Sequence, residues 1–185
     1  MIRKLELDEL GKLYRNHIGK DFPPRERPPC FVIKNNIKKN TQEGFIYVDN
    51  DTELGYAITS ISEYAVLISL FGIFNGNRGK GSGTQFLQEI IKHYDNKKAI
   101  IVEVERPEDA KSGEEKIVCE KRISFYEKVK FTIHKDIEYS IFKVPMYLMT
   151  HSKENLTKED IIKYMKIIYG ITLRKRFHNM LQIKI

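Results

Sequence analysis

The chain has 185 residues, a net charge of +7 and a pI near 9.2, enough length for one self-sufficient core and a small appendage without disulfides or a structural metal. Its two cysteines, Cys30 and Cys119, are too few for a disulfide framework or a zinc site, and no run approaches the roughly 18 apolar residues of a membrane span. Charges throughout the first twenty residues argue against a signal peptide, so a cytoplasmic protein without membrane partners is expected.

In chain order, Ile2-Arg3-Lys4-Leu5 reads as a short first strand. Leu7, Leu10, Leu13, Tyr14 and Ile18 then recur at helical spacing, with Asp8 as a cap candidate and Gly19 as a stop. Asp21 to Pro29 holds four prolines and cannot be regular structure. Phe31, Ile33 and Ile37 predict a short second helix ending near Asn40. Phe45–Val48 and Tyr56–Ile61 read as strands about an Asn-Asp-rich turn, Asp49 to Thr52. Ser62-Glu63-Tyr64 turns into a third antiparallel run, Ala65–Phe74, whose β-branched and aromatic residues are those of a buried strand. Within it, Gly72 marks either a close backbone approach or a bulge.

Asn77-Arg78-Gly79-Lys80-Gly81-Ser82-Gly83-Thr84 follows, and then Phe86, Leu87, Ile90, Ile91 and Tyr94 at helical spacing. A strand, a basic glycine-rich turn and a helix present unpaired N–H groups at the positive end of a helix dipole, which favours phosphate or pyrophosphate. The P-loop spacing fails, because Gly81 stands where Ser or Thr must bind magnesium. The dinucleotide spacing fails too, ending on Thr84 or Phe86 instead of glycine. R-x-x-G-x-G, from Arg78 through Gly81 to Gly83, does fit.

The strand Ala99–Glu105 places Ile101, Glu103 and Glu105 on one face by its period of two. Unpaired buried charge is costly, so the two carboxylates should face a polar cavity or a cation, unless they pair with lysines on a solvated edge. A charged connection, Arg106 to Lys116, leads to a helix over Lys116–Val129 with Ile117, Ile123, Phe125 and Tyr126 as its less polar positions. Phe131–Ile133, Tyr139–Phe142 and Met146–Met149 read as late strands. Thr157-Lys158-Glu159-Asp160 opens a further helix carrying Ile161, Ile162, Tyr164, Met165 and Ile168 and broken at Gly170; Leu173, Phe177, Leu181 and Ile183 suggest a final helix or strand. The five histidines show no metal-ligand spacing, and no metal is expected.

Arg78-x-x-Gly81-x-Gly83, the strand Ala99–Glu105 and Ile123-Ser124-Phe125-Tyr126-Glu127-Lys128-Val129-Lys130-Phe131 together resemble the GNAT superfamily of N-acetyltransferases, in a bacterial-type member. The first matches the acetyl-CoA signature and the last the FYxxxGF segment. The likeness spans Ile2 to Thr150 in element order and is strongest from Phe71 to Phe131. It implies an α/β (α+β) fold with a mixed, mostly antiparallel sheet splayed between strands 4 and 5. On this reading residues 1–150 form the acetyltransferase domain and 151–185 a helical extension packed on it, which covers the sheet, walls the acceptor site or makes a homodimer contact.

The same resemblance assigns roles. Phe71, Gly72 and Ile73 would meet the pantetheine arm, and Arg78, Gly79, Lys80, Gly81, Ser82, Gly83 and Thr84 would cradle the pyrophosphate of acetyl-CoA. Phe22, Arg25, Glu26 and Arg27 would wall the acceptor site, unless that segment is only a rigid surface linker. Tyr126 stands at the general-acid position, and Glu103, Glu105 or a proton-relay water would serve as base in a direct, ternary-complex transfer to a primary amine of a small molecule or peptide. Glu108, Asp109, Glu114 and Glu115 would lie on an acceptor-site lid or on a mobile solvated loop. Cys119 replaces a common asparagine, and Lys130 a common glycine. Two rival readings are a catalytically silent CoA-binding protein and a basic RNA- or ribosome-binding module, the latter favoured by charge alone.

Overall fold

The computed structural model describes residues 1–24, 26–173 and 180–184. The architecture is mixed α/β with mostly antiparallel strand pairing, as the family resemblance implies, and one parallel ladder joins the fourth and fifth strands. By contacts the chain divides into two compact units, Met1–Ile61 with Ile68–Asp95, and Ser62–Leu67 with Asn96–Ile185.

In the first unit β1 (Ile2–Lys4), β2 (Gln42–Asp49), β3 (Thr52–Ile61) and the later part of β4 (Ala65–Ile73) neighbour one another in that order. The β2–β3 turn places Asn50 and Asp51 at φ of 46° and 60°, a left-handed pair that short polar side chains tolerate. The first helical run comprises α1 (Leu10–Leu13), a π-helical turn (Tyr14–Ile18) and α2 (Gly19–Asp21). Leu10, Leu13 and Ile18 are all buried. An ordinary helix would rotate Ile18 off the face that holds Leu13, five residues earlier; the wider π turn keeps both in the core with Ile33, Tyr56, Ile58 and Leu70.

Two details of that run differ from the sequence reading. It begins at Leu10, after the Leu7 that shared the pattern, and Asp8 does not cap it. Instead the Glu9 carboxylate accepts from the Glu6 N–H at 2.9 Å and from both terminal nitrogens of Arg3 at 2.8 Å, fixing the entry by a charged fork. Next comes α3 (Cys30–Lys38), and β4 leads on to α4 (Ser82–His93). In α4 the Phe86 ring stacks on Tyr47 at 5.1 Å and on Phe71 at 4.9 Å.

In the second unit the first residues of β4 pair in parallel with β5 (Ala99–Glu105): Ala65 with Ala99, Val66 with Ile100, Leu67 with Ile101. The ladder ends there, although β4 continues to Ile73 and β5 to Glu105. The other edge of β5 pairs with β8 (Val144–His151), which also takes β6 (Thr132–His134) and β7 (Glu138–Ile141).

Helix α5 (Gly113–Glu127) starts three residues before the predicted Lys116, because Ser112 accepts from the Glu115 N–H at 3.1 Å and caps it. It buries Cys119 and Tyr126 but leaves Ile117 and Val118 half exposed. The Thr157–Asp160 capping box opens α6 (Lys158–Thr172), which runs through Gly170 instead of breaking there. It lays Ile161, Ile162, Tyr164, Met165 and Ile168 on a core with Leu67, Ala99, Ile101, Tyr139 and Leu148. The tail is not helical alone: β9 (Leu181–Lys184) pairs with β7, while Phe177 lies outside the described residues. Within its own unit the tail therefore covers and widens the sheet. Among the described residues no helix is long and apolar enough to cross a membrane.

Candidate functional site

Between β4 and α4 the chain turns through Gly76, Gly79 and Gly81 at φ of +90°, +80° and +85°. A Cβ on any of the three would meet nothing within 4 Å, so glycine is needed here for backbone handedness, not for room. Gly81 is the N-cap of α4, and no side chain caps that helix. The first helical bond runs from the Gln85 N–H to the Gly81 carbonyl at 3.1 Å. Helix geometry thus leaves the N–H groups of Ser82, Gly83 and Thr84 without intrahelical acceptors, at the positive end of a 12-residue dipole. With the exposed Lys80 beside them, these groups fit a pyrophosphate.

Arg78 is engaged otherwise. Its Nε donates to the Ile73 carbonyl at 3.0 Å and its Nη2 to Asp21 Oδ1 at 3.0 Å, while Asp21 Oδ2 accepts from the Tyr56 hydroxyl at 2.9 Å. The guanidinium therefore ties the glycine turn to the end of β4 and to α2.

Gly72 proves to be a close-approach position, but what approaches is the Tyr56 ring. A Cβ would stand 2.7–2.9 Å from ring and hydroxyl atoms of that fully buried tyrosine. Gly72→Ala should lower stability by about 1–3 kcal/mol through overpacking. Denaturant midpoints will show whether the cost largely vanishes in a Tyr56→Ala background, as a steric origin requires.

The proline-rich segment after α2 is internally riveted. Phe22 packs partly buried against the first unit's core. Arg27 Nε donates to the Phe22 carbonyl at 2.9 Å, its guanidinium also donates to the Tyr14 hydroxyl, and that hydroxyl donates to the Pro28 carbonyl at 3.0 Å. The Glu26 N–H closes a turn on the Pro23 carbonyl at 2.9 Å. Phe22 and Arg27 thus hold the loop in shape, while Arg25 lies outside the described residues.

In the second unit Glu105 forms an ion pair with Arg122 of α5. Cys119, Arg122 and Tyr126 share one helix face by their spacing of three and four. Tyr126 is buried, and its hydroxyl has no hydrogen-bond partner among the described residues. Burial pushes the phenol up to about 12, with Arg122 opposing and Glu105 adding to the rise.

The end of α5 is a Schellman turn: the Phe131 N–H reaches the Tyr126 carbonyl at 3.1 Å and the Lys130 N–H reaches the Glu127 carbonyl at 2.9 Å. The accompanying apolar contact is Phe131 on Tyr126, ring centroids 5.3 Å apart. The left-handed position falls on Lys130, at φ +66°. Lys130→Gly should therefore raise the unfolding free energy by about 1 kcal/mol, readable as a higher denaturant midpoint at unchanged slope.

Glu103 and Glu105 alternate onto the same face of β5, yet they meet different partners. Two phenols converge on one oxygen of Glu103: Tyr139 of β7 and Tyr169 of α6 both donate to Oε1, the latter at 2.7 Å. Oε2 has no hydrogen-bond partner among the described residues. Burial raises the Glu103 carboxyl above its ordinary range, against the two phenol donors. Sequence reasoning missed both tyrosines. The only available signal was the demand that two strand carboxylates find polar company. In the loop after β5, Glu108 accepts from the Tyr147 hydroxyl and the Lys111 N–H donates to the carboxylate of Glu115, in the first turn of α5, at 2.6 Å. Among the described residues no group of His, Cys, Asp and Glu could hold a metal.

No protein-family model and no curated protein matches the sequence. Solved structures do. A GNAT-family protein of Bacteroides thetaiotaomicron, assigned as an acetyltransferase, is 21% identical over 89% of this chain and 93% of its own, with a TM-score of 0.73. A variant of the spermidine N-acetyltransferase SpeG of Vibrio cholerae gives 13% identity over 82% and 92%, with a TM-score of 0.60. A GNAT family acetyltransferase of Elizabethkingia anophelis, solved with acetyl-CoA bound, gives 15% over 82% and 97%, with a TM-score of 0.56. The chain has the fold of the GNAT acetyltransferases.

Proposed function

We propose that the protein is an acetyl-CoA-dependent N-acetyltransferase acting by direct transfer to a primary amine in a ternary complex. The observation that carries this reading is the uncapped, left-handed glycine entry to α4, set in the fold of the GNAT acetyltransferases. Ser82, Gly83 and Thr84 would hold the pyrophosphate of acetyl-CoA through their N–H groups, with Lys80 adding charge. Pantetheine would lie along Phe71, Gly72 and Ile73.

Acetyl-CoA supplies an activated thioester; the chain supplies the proton traffic. An alkyl ammonium with a reference pKa of about 10.4 must lose a proton before its nitrogen can attack. Glu103 is the better acceptor, because Glu105 is committed to Arg122 and burial raises the Glu103 carboxyl above the ordinary carboxylate range. The C–N bond then forms, the C–S bond breaks, and the departing sulfur takes a proton from Tyr126. With its phenol near 12, Tyr126 carries that proton throughout the neutral range. In net terms one ammonium proton passes by way of Glu103 to solvent. A second, lost from nitrogen after attack, replaces the one that Tyr126 gives to sulfur.

The test is calorimetric titration with acetyl-CoA, followed by thiol release against a panel of polyamines, amino acids and peptides. Micromolar binding with thiol release on one class of amine is the expected result. Binding without transfer to any amine would leave a silent CoA-binding protein. A folded protein that ignores acetyl-CoA but binds RNA with steep salt dependence would overturn the reading.

A further inference from the structure

We propose that Tyr139 and Tyr169 are positioning residues of the transfer, which set the basicity and the presented oxygen of Glu103. This rests on the acetyltransferase reading with Glu103 as proton acceptor, and adds to it a catalytic use for the tail. Tyr169 sits near the end of α6, in the segment that follows the last strand of the superfamily-like region, and it reaches back to β5 across 66 residues of sequence.

The geometry is specific. Both phenols donate to the same oxygen, Oε1, so neither competes for Oε2. Two donors on one oxygen fix the carboxylate plane and leave the lone pairs of Oε2 as the site able to take a proton. Leu148 faces Glu103 across the β5–β8 ladder and carries no charge. Among the described residues the titratable groups that contact Glu103 are those two tyrosines, its same-face neighbour Glu105 is paired with Arg122, and no ion pair reaches Glu103 itself. Both tyrosines are themselves held fully protonated, their pKa values raised well above the ordinary phenol value by burial first and by Glu103 next. Each therefore keeps an O–H to donate to the Glu103 carboxylate across the neutral range.

The sign of the effect follows. Burial moves the carboxyl up, and each phenol moves it down by stabilising the anion. Removing one donor should raise the Glu103 pKa further, by about one pH unit or more for a hydrogen bond to a charged group. A base must be ionised to work, so the acidic limb of kcat/KM should move to higher pH by the same amount.

The experiment compares wild type, Tyr169→Phe, Tyr139→Phe and Glu103→Gln, with one amine as acceptor. Two readouts are taken: the pH profile of kcat/KM from pH 5 to 9, and the ¹³C carboxyl titration of Glu103, assigned by its loss in Glu103→Gln. Each phenylalanine keeps its ring, and the second variant guards against misfolding of the first. The expected result is a matched upward shift of about one unit or more in both readouts. Below both limbs that is roughly a tenfold loss, shrinking as the pH rises above the new limb. A carboxyl that shifts while the kinetic limb stays would overturn the proposal and make the trio a structural clamp, with acetyl transfer intact. Unchanged profiles in both readouts would overturn it equally. If wild type transfers acetyl to no amine, the parent reading fails, which the first assay reveals before any variant is made.

Discussion

Gly81→Arg should abolish measurable acetyl-CoA binding, raising the calorimetric Kd by about 100-fold or more, while the protein stays folded. Two separable causes act there. Gly81 holds φ +85° with ψ −11°, a left-handed conformation that costs an L side chain roughly 1–2 kcal/mol. That strain lowers the population of the turn in which the three helix N–H groups converge, and the apparent affinity falls with it. The arginine side chain then adds bulk where the ligand phosphates would sit. Gly81→Ala separates the terms, because its Cβ would meet nothing within 4 Å. Only the backbone term applies to it, and Kd should rise by about tenfold. Wild-type affinity in both variants would remove the cradle from the account, and circular dichroism on each would exclude unfolding as the cause of a loss.

The glycine-rich turn into α4 was legible because its information is local. Gly79 and Gly81 of the basic turn are left-handed, Gly83 falls inside α4, and Gly76 was not singled out, while the fold class followed from the family resemblance that those local motifs carry. The helix stop at Lys130 was legible through the resemblance alone, which sets a glycine at that position. Long-range contacts were not. Gly72 needs its missing Cβ for the ring of Tyr56 on the neighbouring strand, which no local pattern could specify. Arg78 reads as a phosphate ligand by position, yet its guanidinium spans to Asp21, 57 residues away. The partners of Glu103 lie 36 and 66 residues downstream. A buried carboxylate announces that it needs donors but not which residues supply them. Gly170 shows the converse, a local signal overridden: α6 continues past it because Met165 and Ile168 before it and Thr172 after it are buried, and that burial outweighs about 1 kcal/mol of glycine propensity.

Tyr126→Phe should lower kcat by about 10²–10³ with acetyl-CoA affinity unchanged within about threefold, a split that identifies a proton donor used only in the transition state. The ring contacts survive the change, since Phe125 at 5.1 Å and Phe131 at 5.3 Å touch the ring and not the hydroxyl. That hydroxyl has no partner among the described residues, so deleting it breaks no bond and stability should move by less than about 0.5 kcal/mol. A purely structural tyrosine would show the reverse, a hydrogen bond lost from the fold and no effect on turnover. The pH dependence sharpens the test. A group whose pKa is raised to about 12 is protonated at every pH from 6 to 9, so its removal costs the same factor across that range. The deficit should therefore be flat in pH, in contrast to the sloping deficit expected when the basicity of Glu103 is altered. A deficit that closed toward high pH would mean that the lost group titrates within the range, and the proton would then have to come from elsewhere. An unchanged kcat would return Tyr126 to the role of a core residue at the Schellman turn.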